Sequence, residues 1–235
     1  MAFERVLDPS NPVHANIRAA LALALQGLLR GAEFAVDEGK AVDFRRHLTR
    51  KDVRVLTQDK LVVMLLPCKN MRHLSGKTVP LAIGAGGIFI DAVWELNNLM
   101  RVDPTPQGKA ATTPLFRDPA TNLPLRTGFL RRITAQLMIS IGQDPKQYGL
   151  HSYRIGGATA LFAAGATPMI LIRTMGRWSS DCYRLYVRAC FEQTLAWSRE
   201  CGSTTVNDLA GRSSTRWITI KLVNVVEALR RSEIG

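Results

Sequence analysis

Apolar residues recur at helical spacing soon after the start of the chain. Val13, Ile17, Leu21, Ala24 and Leu28 fall on one side of a helix about five turns long. Ser10-Asn11-Pro12 precedes them, with a capping side chain and then proline in the first turn, as at a helix start. Three strands are expected next, at Val53–Thr57, Leu61–Leu66 and Thr78–Ile83. Gln58-Asp59 turns between the first two, and the longer link PCKNMRHLSGK joins the last two. Helices follow over Ile88–Met100 and Leu125–Ile141. The first is phased to put Ile88, Asp91–Ala92, Trp94–Glu95 and Leu99 on one buried side, and the second aligns Phe129, Ile133, Leu137 and Ile141. Pro104–Asn122 holds four prolines and reads as a loop within one domain. From about Ser152 a helix would bury Ile155, Ala158 and Phe162 and end at Gly165. Thr167-Pro168 begins another, running to about Met175, and Asp181 caps a third. Trp217–Leu229 is again apolar.

The pattern gives an α+β class, mostly helical with a small three-stranded antiparallel sheet. With 235 residues, 46% of them hydrophobic, the chain can bury a substantial core. Lys and Arg outnumber Asp and Glu by 31 to 19, a formal charge of +12, which suits a polyanionic partner. The run Phe44–Arg54 is dense in cations and reads as a solvated face. Cys68, Cys182, Cys190 and Cys201 show no CxxC spacing, so neither a disulfide frame nor a zinc site is expected. No apolar signal core opens the chain, and no run of about 18 apolar residues suggests a membrane span. An intracellular location is expected, nuclear in a eukaryote and in the cytoplasm or nucleoid in a prokaryote.

Candidate chemistry concentrates in Gly149–Arg188, where His151 and Arg154 stand three residues apart and Gly176-Arg177-Trp178 precedes Tyr183 and Tyr186. The order of these elements resembles the catalytic domain of the tyrosine recombinases and integrases, over roughly residues 12 to 200. GLLRGAEF resembles the first-arginine motif, with Arg30 as that residue and Glu33 at the acidic position. Lys69 matches the hairpin lysine, and His151 and Arg154 match the His-x-x-Arg pair. Gly176-Arg177-Trp178 resembles the Gly-His/Trp element, with Trp178 favoured over Arg177 for the His/Trp role. Tyr186, ten residues after Gly176, matches the nucleophile, and Tyr183 is the alternative one turn earlier. In style, HLTRKDV and GRWSSDCYRLYVR are most similar to the recombinases of Crypton and DIRS mobile elements.

The resemblance implies a DNA breaking-rejoining fold. It implies double-stranded DNA as the partner, four subunits assembled on it, and no metal or cofactor. It implies a tail at 1–11, a catalytic domain at 12–203 and an extension at 204–235 open to exchange between subunits. The family's N-terminal core-binding domain is not expected in this sequence. Arg30 and Arg154 would offer rigid forks of donors to a phosphate. His151 and Trp178 would add N–H donors. Tyr186 would attack phosphorus to form a 3′-phosphotyrosine, and Lys69 would protonate the leaving 5′-oxygen. Glu33 would orient its basic neighbours. Arg72, Lys77 and Arg177 would contact DNA. Three other readings compete: a helix-turn-helix binder with Ala164–Thr167 as the turn, a domesticated recombinase that binds without cutting, and a type IB topoisomerase.

Overall fold

The computed structural model describes residues 6–66, 78–87, 90–164 and 173–178. All of them fall in the first of two units into which the chain divides, residues 1–188. Helix α1 spans Pro12–Gln26, and the Asn11 side chain caps it by accepting from the backbone N–H groups of Val13 and His14. Its apolar face is wider than the sequence stripe: every residue from Ala15 to Ala24 is buried. A helix enclosed on all sides must be central. The polar residues Asn16 and Arg18 are tolerated there because each is satisfied. Arg18 grips Glu95 through two nitrogens, at 3.0 and 2.6 Å, and Asn16 donates to Asp103 at 2.9 Å.

Three strands form one antiparallel sheet in the order β1 (Val53–Thr57), β2 (Lys60–Leu65), β3 (Val79–Gly84). The ends lie within one residue of the sequence expectation. Pairing aligns Leu61 with Ile83 and Val63 with Leu81, so that one face carries Leu61, Val63, Leu65, Leu81 and Ile83 into the core. Strand β1 is largely exposed.

Helix α3, Ala92–Val102, packs along α1 and is capped by Asp91, which accepts from Val93 and Trp94. It buries Val93, Leu96 and Leu99, whereas Trp94, expected inside, is 51% exposed. The buried arc is centred one position further round, and Trp94 lies beside the Arg18 guanidinium at its rim. The proline-rich loop after α3 is firmly packed. Leu115 and Phe116 are buried, and the loop exchanges backbone hydrogen bonds with the segment before β1 (Leu115 to Leu48, Arg50 to Thr113). Helix α4 spans Thr127–Ser140 and buries Leu130, Thr134 and Leu137, leaving Ile141 exposed just past its end. Helix α5 spans Leu150–Ala163 and contacts both α1 and α4. Its buried line is Leu150, Arg154, Gly157 and Ala158, with Ile155 and Phe162 only half-buried.

Within the cationic run, Arg45, Arg46, Lys51 and Arg54 are exposed as expected, but Arg50 is not. Arg50 and Arg117 both converge on Asp103, with Asn16 completing the cluster. One carboxylate thereby ties the start of β1, the end of α3 and the proline-rich loop to α1. Among the described residues no helix is long and apolar enough to cross a membrane.

Candidate active site

The site begins where α1 ends. Leu29 N–H bonds to the Ala24 carbonyl at 3.0 Å and Leu28 N–H to Leu25 at 3.3 Å, the paired bonds of a Schellman stop. The residue that turns left-handed in such a stop is usually glycine. Here it is Leu28, with φ 49°, and its side chain is wholly buried against Ala158 and Trp178. The cost of that backbone conformation is offset by burial. The consequence for the site is the direction of the Leu28 carbonyl, which accepts from both Arg154 and Arg177.

The next residue but one is Arg30. It opens a short helix, α2 (Gly31–Phe34), and Glu33 closes that turn by accepting the Arg30 backbone N–H at 2.7 Å and its guanidinium at 3.3 Å. The Arg30 side chain is 24% exposed.

Helix α5 supplies His151 and Arg154 from its first turn and a half. Gly157 lets this helix approach the end of α1, since a Cβ there would stand 2.1 Å from the Leu25 carbonyl oxygen. Arg154 is then carried under Leu28. Its two terminal nitrogens donate to the carbonyls of Leu28 and Gly176, and it is 0% exposed. His151 is exposed at the edge of the same cluster. Partial burial, and then the charges of Arg154 and Arg30, push its pKa below the ordinary 6.5. The neutral imidazole therefore prevails at pH 7, a form with one N–H donor and one acceptor nitrogen.

The third element is the turn α6, Arg173–Gly176, and the two residues after it. Trp178 folds back across Gly176, where any Cβ would meet the indole, 1.7 Å from its nearest ring atom. The ring lies over the Arg154 guanidinium, 4.3 Å from carbon to centroid, and Trp178 is 5% exposed. Arg177 runs the other way. Its φ is 56°, and its guanidinium is directed inward to the Met175 carbonyl, the Gly27 carbonyl at 3.2 Å and Glu33 at 2.8 Å.

Six of the expected residues, Arg30, Glu33, His151, Arg154, Arg177 and Trp178, are thus gathered in one place. Two of them differ from expectation in exposure. Arg177, expected against DNA, is buried in an ion pair with Glu33, and Arg154, expected against phosphate, is covered by Trp178. Lys69, Arg72, Lys77, Tyr183 and Tyr186 lie outside the described residues, as do Gly165 and most of the turn proposed for a helix-turn-helix. Sequence reasoning missed the Leu28 and Gly27 carbonyls and the part played by Gly157. Only Gly157 left a signal, because a glycine pair inside a helix is costly unless another backbone passes close by. Among the described residues no group of three or more His, Cys, Asp or Glu could hold a metal ion.

No family model matches the sequence, and no curated protein matches it. Solved structures do. The XerH site-specific recombinase bound to palindromic difH substrate, in a post-cleavage complex, superposes with a TM-score of 0.59 at 15% identity, over 86% of this chain and 49% of that one. Its pre-cleavage complex with difH gives 0.57 at 14% identity, over 87% and 51%.

The fold is that of a tyrosine recombinase catalytic domain.

The chain spans about half the length of these recombinases. The Tn1549 transposon integrase in complex with circular intermediate DNA also matches, with a TM-score of 0.48 at 18% identity, over 80% of this chain and 59% of that one. In this fold the turn at Leu28–Arg30, the first turns of α5 and the Gly176–Trp178 turn meet through side chains and carbonyls, with Arg154 bonded both to Leu28, 126 residues away, and to Gly176, 22 away.

Proposed function

We propose that this chain cleaves and rejoins DNA strands through a 3′-phosphotyrosine. One observation carries the reading: on a tyrosine recombinase fold, Arg30, Glu33, His151, Arg154 and the Gly176–Trp178 turn are held together in a single cluster. Cations so placed suit a phosphate whose equatorial oxygens gain charge during in-line attack. Arg30 and His151 stand at the solvent side, where a scissile phosphate can meet a guanidinium and a neutral imidazole N–H. Arg154 lies behind them, under Trp178, and adds its permanent charge to the cluster.

The Tyr186 phenol oxygen forms the bond to phosphorus as the bond to the 5′-oxygen breaks. Lys69 gives that oxygen its proton, and a different 5′-hydroxyl then reverses the step. The bond energy is kept in the phosphotyrosine, so the reaction calls for neither ATP nor a metal. Exchange between two duplexes calls for several subunits on DNA.

Burial of Arg154 favours a second reading, a recombinase-derived module that binds DNA without cutting it. A nicked suicide substrate separates the two. Incubation followed by a denaturing gel gives a covalent adduct that is absent in Tyr186→Phe if the chain is an enzyme. DNA retention without any adduct would leave the binding module. An adduct that persists in Tyr186→Phe and is lost in Tyr183→Phe would move the nucleophile.

A further inference from the structure

Glu33 stands between two guanidinium groups that come from opposite ends of the described chain. Its Oε2 accepts from the Arg30 backbone N–H at 2.7 Å and from Arg177 Nη2 at 2.8 Å, both within the range of strong charge-assisted bonds. Its Oε1 accepts from the Arg30 guanidinium at 3.3 Å, which is long for such a bond. The carboxylate is therefore gripped by Arg177 and only touched by the Arg30 side chain. The contrast in exposure runs the same way. The Arg177 side chain is 2% exposed against 24% for Arg30.

We propose that Arg177 is a positioning residue for Arg30, acting through Glu33. By gripping the carboxylate, it keeps Glu33 from closing on Arg30 and lets that guanidinium turn toward a phosphate. This inference rests on the strand-cleavage reading above and adds to it the residue that tunes the first arginine. Arg177 also staples the Gly27 and Met175 carbonyls, so its test must separate positioning from stapling.

The readout is the rate of covalent adduct formation by the full chain at saturating suicide DNA, with DNA affinity measured in parallel. Arg177→Met removes the guanidinium that grips Glu33 at 2.8 Å and leaves the longer contact to Arg30 in place. The adduct rate is expected to fall, by up to about 100-fold for a misplaced catalytic group, with little change in DNA affinity. Adding Glu33→Gln to Arg177→Met removes the carboxylate that captured Arg30 and is expected to restore much of the rate. A staple has no use for that second change.

Arg177→Lys keeps a charge for Glu33 and gives up most of the carbonyl bonds. It is expected to stay near the wild-type rate, and it decides the matter if Arg177→Met does not fold. An unchanged rate in Arg177→Met, a double variant no faster than the single, or an Arg177→Lys rate as low as that of Arg177→Met would each overturn the proposal. Absence of any adduct in the wild-type chain would instead sink the cleavage reading, and this inference with it.

Discussion

Arg154 and Trp178 lie face to face, the guanidinium carbon 4.3 Å from the centroid of the indole ring. The ring shields the arginine from water and fills the space between Leu28 and Ala158. Trp178→Ala is expected to cost about 3–5 kcal/mol in urea unfolding, the usual range for removing a buried indole. Trp178→Phe keeps an aromatic face and should lose less than half as much. Arg154 should also change its reactivity toward an arginine-selective dicarbonyl, read by mass spectrometry: protected in the wild type and modified in Trp178→Ala. Equal modification in both would mean that the ring is not the cover.

Gly156 and Gly157 are neighbours in α5 with opposite expected outcomes. A Cβ on Gly157 meets the Leu25 carbonyl oxygen at 2.1 Å and the Leu28 side chain at 2.5 Å. Backbone cannot give way as a side chain can, and overpacking of this kind costs about 1–3 kcal/mol. Alanine regains about 1 kcal/mol of helix propensity, so Gly157→Ala should be destabilising on balance. A Cβ on Gly156 finds its nearest neighbour at 3.5 Å, an ordinary contact. Gly156→Ala should gain up to about 1 kcal/mol. Thermal melts of the two variants check the pair.

Asp103 is enclosed by Arg50, Arg117 and Asn16. Burial alone would raise its pKa, but hydrogen bonds from Arg117 and Asn16 and the charges of Arg50 and Arg117 outweigh it, and the pKa lies below the ordinary 3.8. The folded state thus holds the proton less tightly than the unfolded chain. The stability so gained is present above 3.8 and is lost as pH falls through the depressed value. Asp103→Asn strands two buried cations and should cost about 3–5 kcal/mol at pH 7. The gap between variant and wild type should narrow as the pH drops below 3.8, which denaturant titrations at several pH values would show.

His151 is expected to titrate below 6.5 in an NMR pH series on its imidazole protons. Arg30→Met removes one of the two cations acting on it, so its pKa should rise, though not fully, since partial burial and Arg154 remain. A value that ignores this substitution would separate His151 from the Arg30 turn.

The elements were legible where local chemistry decides them. Asn11 caps α1 as its side chain suggests, and alternation in β2 fixes the sheet register. Order along the chain was enough to expect Arg30, His151 and Arg154 near one another, and the fold brings them together. Pairings made only by tertiary contact were not legible. Nothing near Arg50 in sequence says that Asp103 will neutralise it, or that Arg177 will turn to Glu33 while Trp178 folds back over Arg154. The left-handed Leu28 was hidden for a related reason. Gly27 and Gly31 are the residues that advertise such a turn, yet the conformation falls on a leucine whose side chain is needed in the core.

The Leu28 carbonyl has a bearing on how the protein is made. A ribosome finishes α1 and its stop long before it adds Arg154 and Arg177, the donors that satisfy that carbonyl. Closing loops of that length carries an entropic toll that nearby contacts cannot defray. The nascent helix therefore closes its own end at once, while the Leu28 carbonyl stays with water until translation has delivered the second half of the cluster.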